Sequence, residues 1–147
     1  LYGILKRKSK MAIIEIILLA FTIFSEALHE SPYGKYTVAS AIHNRVTDPA
    51  FPKTYTEVVL QKRKNADKMQ FSCYDSFDLI LGNLAKIEHR KTEWIVSLII
   101  ATAFVNGDAK PNIKAKHYAR IETKRIWMKD MIIEKIVDNH KYLVEKE

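Results

Sequence analysis

The sequence predicts a mainly α (α+β) domain with a small C-terminal β element. Three observations carry this expectation. From Met11 to about Asn106, apolar runs of helical length alternate with Pro, Gly and polar turns. One of those runs, Glu93 to Asn106, is apolar all round, the pattern of a helix central to its domain. Beyond Asp108 the pattern changes to short, partly alternating segments.

The elements follow in order. Met11 to about His29 lacks Gly and Pro and is rich in Ile, Leu and Ala, so it reads as a mostly buried helix. Ser31-Pro32-Tyr33-Gly34 breaks it. A second helix is expected from about Lys35 to Val46, with Ala39, Ser40 and Ala41 small enough for close approach to the first. Asp48-Pro49 to Pro52 stops it. Thr54 with Glu57 three residues later is a capping box that opens a short helix through Leu60. Gln61 to Met69 is polar and basic and reads as a loop. Asp75 or Ser76 caps a helix reaching about Arg90, and Thr92 caps Glu93 to Asn106, which Gly107 ends. Lys114 to Ile121 and Asp138 to Val144 are expected to pair as antiparallel strands. Trp127 to Ile136, between them, reads as a short helix or an extended excursion.

With 147 residues, 48% apolar content, 28% charge and four glycines, the chain has the composition of one ordinary globular domain. Residues 1–10 read as a basic N-terminal extension and residues 11–147 as the domain. The run Ala12 to Phe24, behind basic Lys6, Arg7, Lys8 and Lys10, looks at first like a leader. At thirteen residues, interrupted by Glu15, it is shorter than a bilayer span and leads without a turn into Ser25-Glu26-Ala27. It therefore reads as a buried first helix without stable membrane insertion, and Met11 is a candidate natural start. Cys73 is the sole cysteine, which excludes an intrachain disulfide and a cysteine-held zinc. It reads as a small buried hydrophobe. The net charge of +7 favours an anionic partner without choosing among nucleic acid, a membrane face and a bacterial wall.

Glu26 and Glu30 lie four apart at the end of the first helix and share a face if that helix persists. As carboxylates at helical spacing they are unremarkable. The wider string is more informative: Ser25-Glu26-Ala27-Leu28-His29-Glu30-Ser31, Gly34-Lys35, then Val38 to Ile42 and His43-Asn44-Arg45-Val46. Asp48 to Pro52, Val58-Val59 with Gln61, Gln70-Phe71-Ser72, Ala115-Lys116-His117-Tyr118-Ala119 with Trp127, and Asn139-His140-Lys141-Tyr142 follow in order. This ordered set resembles the SleB-like cell wall hydrolase family, over about residues 15 to 144. Leu28-His29 stands where the family has Arg-Gly, and Asn112-Ile113-Lys114 replaces the glycines common before the His-Tyr segment.

The resemblance implies a lysozyme-like or resuscitation-factor-like fold and cleavage of the β-1,4 bond between N-acetylmuramic acid and N-acetylglucosamine. It places the catalytic acid at Glu26. That role needs a carboxyl kept protonated near neutral pH by apolar surroundings, which Ile23, Phe24 and the helix after Trp94 could supply. Glu30, Gln70, Phe71, Ser72, His117 and Tyr118 are the expected substrate-binding residues; His140 is expected to be structural. No spacing selects a second carboxylate from Glu30, Asp48, Asp67, Asp75 and Asp78. Internal attack by the muramic acid 6-hydroxyl, giving a 1,6-anhydro product, needs none and is favoured over hydrolysis.

The expected partner is the peptidoglycan glycan strand, engaged by a monomer, with no nucleic acid, cofactor or metal. The chain carries no Gly-rich phosphate loop and no clustered Cys or His ligands. The expected setting is a phage lysin held in the host cytoplasm until release to the wall; the alternative is a bacterial enzyme exported to the wall. Two rivals remain: a basic helical nucleic-acid-binding module resting on Lys62-Arg63-Lys64 and Lys124-Arg125, and a catalytically silent wall-binding protein of the same fold.

Overall fold

The computed structural model describes residues 1–147, except for the side chains of residues 2 and 4–8. Lys6, Arg7 and Lys8 of the expected basic extension thus lie outside the described side chains. Five helices come first: α1 (Tyr2–Glu26), α2 (Pro32–Thr47), α3 (Tyr55–Val59), α4 (Phe77–His89) and α5 (Lys91–Val105). Three strands follow: β1 (His117–Arg120), β2 (Met131–Val137) and β3 (His140–Glu145).

The helix boundaries follow from local chemistry. Ser31-Pro32, expected to separate the first two helices, does so and itself starts the second, earlier than the expected Lys35. The Ser31 side chain accepts from the Gly34 amide, and Pro32 occupies the first turn, where a missing N–H costs nothing. Thr54 and Ser76 cap α3 and α4 as expected, accepting from the amides of Glu57 and Leu79. Thr92 does not cap α5, which begins at Lys91 with Arg90 at its N-cap and no side-chain cap bond.

The centre of the domain is α2, not α5. Thr37, Val38, Ala39, Ser40, Ala41 and Ile42 are all fully buried, whereas Ile95 and Ile99 of α5 are 53% and 64% exposed. Hydropathy hides this because α2 mixes polar residues with apolar ones. Those polar groups are satisfied locally: Thr37 and Ser40 donate to the carbonyls of Tyr33 and Tyr36, one turn back. Small side chains then let α1, α3 and α5 pack around it.

The sheet has the order β1-β3-β2, antiparallel throughout. The expected pairing of the two outer segments holds as β1 with β3, with Tyr118 opposite Tyr142. Trp127 to Ile136 divides between both of its expected forms, a 3-10 turn over Ile126–Asp130 and then β2. The register slips between Ile133 and Lys135, leaving Glu134 as the extra residue of a bulge. Its carboxylate accepts from the amides of Lys114 and Ala115, fixing the segment that leads into β1. The expected loop Gln61 to Met69 folds back on itself through a bridge between Lys62 and Met69, with Asn65 in the left-handed region at its tip. No helix among the described residues is long and apolar enough to cross a membrane.

Candidate active site

Helix α1 ends at Glu26, so Glu26 and Glu30 do not share a helix face. The chain turns instead through Ala27 to Glu30, where the family pattern would place Arg-Gly. A buried cation takes over that turn: the Lys35 ammonium donates to the carbonyls of Leu28 and Glu30, at 3.3 and 2.6 Å. Free carbonyls at a helix C-terminus are natural partners for such a charge.

Glu26 opens into a cleft walled by Leu28, Cys73 and Leu79 on its apolar side, with Ser72, Asn83, Lys86, Arg120, Asn139 and His140 adding polar groups. Burial raises its carboxyl pKa from 4.5 to about 7, against the opposing pull of the Tyr118 hydroxyl and the charges of Arg45 and Arg63. The expected apolar surroundings lie elsewhere: Phe24 packs edge-on against Trp94 in the core, 5.9 Å between ring centres.

Beneath Glu26 lies a second layer. Tyr118 is half-buried, but its hydroxyl is wholly covered and has no partner at ordinary hydrogen-bond length. Burial and the Glu26 charge hold the phenol well above 10, so it remains a proton donor aimed at the acid. Arg45, 8% exposed, donates to the Lys116 carbonyl at 2.6 Å and stacks over the rings of Phe51 and Phe71. Asn44 donates to the carbonyls of Ile113 and Ala115. The Asn-Arg pair at the end of α2 thus holds the approach to β1 and, through it, Tyr118.

Glu30 faces the same cleft but is already engaged. Its two oxygens accept from the Asn139 amide and the Asn139 side chain, at 3.1 and 3.2 Å, and His140 Nδ1 lies 3.4 Å away. Burial lowers the His140 pKa, against the opposing charge of Glu30. Next to Glu30, Asp138 accepts from both the amide and the hydroxyl of Ser31. These bonds pin the β2–β3 turn to the turn after Glu26. Gly34 permits the approach, since a side chain there would collide with the Asp138 carboxylate and the Glu30 Cβ.

The remaining expected site residues separate. Ser72 is exposed and lines the cleft. Gln70 is exposed but does not line it, and its amide donates to the Gln61 carbonyl. Phe71, expected to offer a ring to a sugar, is 3% exposed and belongs to the core, where it carries Arg45. His117 does not join Tyr118 in one groove. Successive strand residues face opposite ways, and His117 stacks between Phe51 and Trp127 while Tyr118 meets His140 and Tyr142. Cys73 is buried, and its thiol is pushed up to about 12, so it carries no nucleophilic thiolate.

Of the other carboxylates weighed from sequence, none lines the Glu26 cleft. Asp48 is paired with Lys116, and Asp75 accepts from the Met69 amide. Asp67 and Asp78 are exposed elsewhere. Sequence reasoning missed Arg45 and Asn139 as site residues, although both sit inside motifs it had singled out. It also missed Asn83, Lys86 and Arg120, for which no local signal existed. Among the described residues no group of His, Cys, Asp and Glu is placed to hold a metal ion.

The comparisons with known proteins agree with this architecture. The catalytic domain of the Bacillus cereus SleB protein matches with a TM-score of 0.61 at 22% identity, over 87% of this chain and 88% of that one. The catalytic domain of the germination-specific lytic transglycosylase SleB from Bacillus anthracis gives 0.59 at 24% identity, over 87% and 92%. At these identities the likeness is one of fold. A search of curated proteins finds no match. The family described as Cell Wall Hydrolase matches residues 29–143. That match begins three residues past Glu26. The fold and a family match across most of its length agree: this chain belongs to the cell wall hydrolase family.

Proposed function

We propose that this protein cleaves the β-1,4 bond between N-acetylmuramic acid and N-acetylglucosamine in peptidoglycan, with Glu26 as the general acid. The observation that carries the reading is a single carboxyl, at the end of α1, held in a cleft with its pKa raised to about 7. Such a group is protonated in a large fraction of molecules at neutral pH and can give its proton to the glycosidic oxygen as the bond to C1 breaks.

The positive charge left at C1 must then be quenched. Among the described residues the other carboxylate lining the cleft is Glu30, and each of its oxygens is held by Asn139 in the turn rather than left to face C1 unsupported. This supports internal attack. The 6-hydroxyl of the muramic acid bonds to C1 and gives its proton to the Glu26 carboxylate, which regenerates the acid and releases a 1,6-anhydro end. The Tyr118 hydroxyl and Arg45 stabilise the carboxylate between the two transfers.

The test is digestion of purified sacculi followed by mass spectrometry of the soluble muropeptides. Anhydro ends are expected from the wild type, and Glu26→Gln should lose release by at least about a hundredfold with an unchanged circular dichroism spectrum. Reducing ends would replace internal attack with hydrolysis. A folded, fully active Glu26→Gln would overturn the assignment of the acid.

A further inference from the structure

The cleft is unevenly charged. Two cations line it, Lys86 from α4 and Arg120 from the end of β1, whereas its two acids are Glu26, whose burial favours the neutral form, and Glu30, tied to Asn139. Lys86 lies one helical face along from Leu79 and Asn83, at the i, i+4 and i+7 positions that α4 turns toward the cleft. It has no carboxylate within 4 Å among the described residues, although it is exposed and free to choose one. Arg120 pairs with Glu122, but both side chains are 69% exposed. An exposed pair of that kind contributes little and exchanges readily for another carboxylate. A third cation, Arg63 at the folded-back 61–69 loop, lies near enough to act on the Glu26 carboxyl.

We infer that Lys86 and Arg120 select peptidoglycan whose muramic acids carry free carboxylates on their peptide stems, by pairing with those carboxylates across the cleft from Glu26. The inference rests on the glycan-cleaving reading above and names the substrate class within it. A neutral glycan backbone gives two cations from separate elements nothing to bind. The stem, attached through the lactyl ether at C3 of the muramic acid whose C1 bond is cleaved, projects several carboxylates from the sugar that must lie next to Glu26. Arg120 can engage one in a forked geometry, and Lys86 acts as a point charge.

The test uses soluble, uncross-linked peptidoglycan strands in two forms: native, and with the stem carboxylates converted to methylamides. The readout is the ratio of kcat/KM on native to amidated strands, measured within each variant so that the folded fraction cancels. The wild type is expected to favour native strands by about fivefold, through KM. In the Lys86→Gln/Arg120→Gln double variant the ratio should fall to near one, and Lys86→Arg should retain it. Lys110→Gln, an exposed charge away from the cleft, should leave it at the wild-type value. A wild-type ratio near one, a double variant that keeps the preference, or an equal loss in Lys110→Gln would each overturn the inference while leaving the cleavage reading in place. A wild type that releases nothing from either substrate would overturn the cleavage reading itself.

Discussion

At the scale of single residues, Glu26 illustrates a conflict between function and stability. Its pKa in the fold, about 7, stands above its ordinary 4.5, so the folded chain binds more protons than the unfolded one between those values. Stability from this group is therefore full below pH 4.5 and is lost as pH rises through 7. At about 1.4 kcal/mol per pH unit the loss is on the order of 3 kcal/mol. Glu26→Gln, which cannot ionise, should accordingly unfold at higher urea than the wild type at pH 8 and at nearly the same urea at pH 4. In the role proposed for Glu26, the same shift would set the alkaline limb of activity, because a general acid must be protonated: muropeptide release should decline above about pH 7. Tyr118 and Arg45 pull the pKa down, so Tyr118→Phe should move that limb upward, and a limb that stays or moves down would remove Tyr118 from the site. The sequence singles out Glu26 through its place in an ordered motif. The supports around it are less legible there. Arg45 and Lys35 are buried charges whose partners are backbone carbonyls, and carbonyls leave no mark on composition.

At the scale of elements, the turn after α1 and the β2–β3 turn form one unit although more than a hundred residues separate them in sequence. Glu30 binds Asn139, Ser31 binds Asp138, and Gly34 makes room where they meet. Asp138 sits at φ 49, a left-handed conformation that an aspartate tolerates better than most residues and that lets the hairpin turn tightly. Gly34→Ala would ordinarily favour a helix. Here the added methyl has no space, and the expected result is a net loss of about 1–3 kcal/mol in urea unfolding, with faster hydrogen exchange at the Ser31 amide as the clamp loosens. An unchanged or higher midpoint would show that the hairpin adjusts freely. Sequence patterns located both turns but not their contact. Helical periodicity likewise found α4 and α5 yet put α5 at the centre, where its apolar circumference coexists with exposed Ile95 and Ile99, while small and self-satisfied polar residues let α2 occupy that place. The long-range packing that turns one face of α4 toward the cleft lies beyond any local pattern.

At the scale of the whole molecule, the helical body and the sheet share one apolar core, which Val137 and Tyr142 enter from the sheet, and are tied by polar bonds at its edges. Asn44 and Arg45 hold the carbonyls of residues 113, 115 and 116, and Glu30 and Ser31 hold the β2–β3 turn. Each replaces a bond to water and contributes only about 1–3 kcal/mol, the larger values where a charged group takes part. Together they decide whether the sheet melts with the body or before it. The two tryptophans report the two parts separately: Trp94 packs with Phe24 on the helical side, and Trp127 lies beside His117 at the sheet. Single-tryptophan variants, Trp94→Phe and Trp127→Phe, should therefore show coincident fluorescence midpoints in urea, as one cooperative unit requires. Asn44→Ala leaves two carbonyls without their shared donor and should separate the midpoints, with the Trp127 signal moving first. Separate midpoints without that substitution would mean that the sheet, with Tyr118 on it, unfolds independently of the helix that ends in Glu26. The arrangement of Tyr118 beneath Glu26 would then be maintained by substrate rather than by the fold.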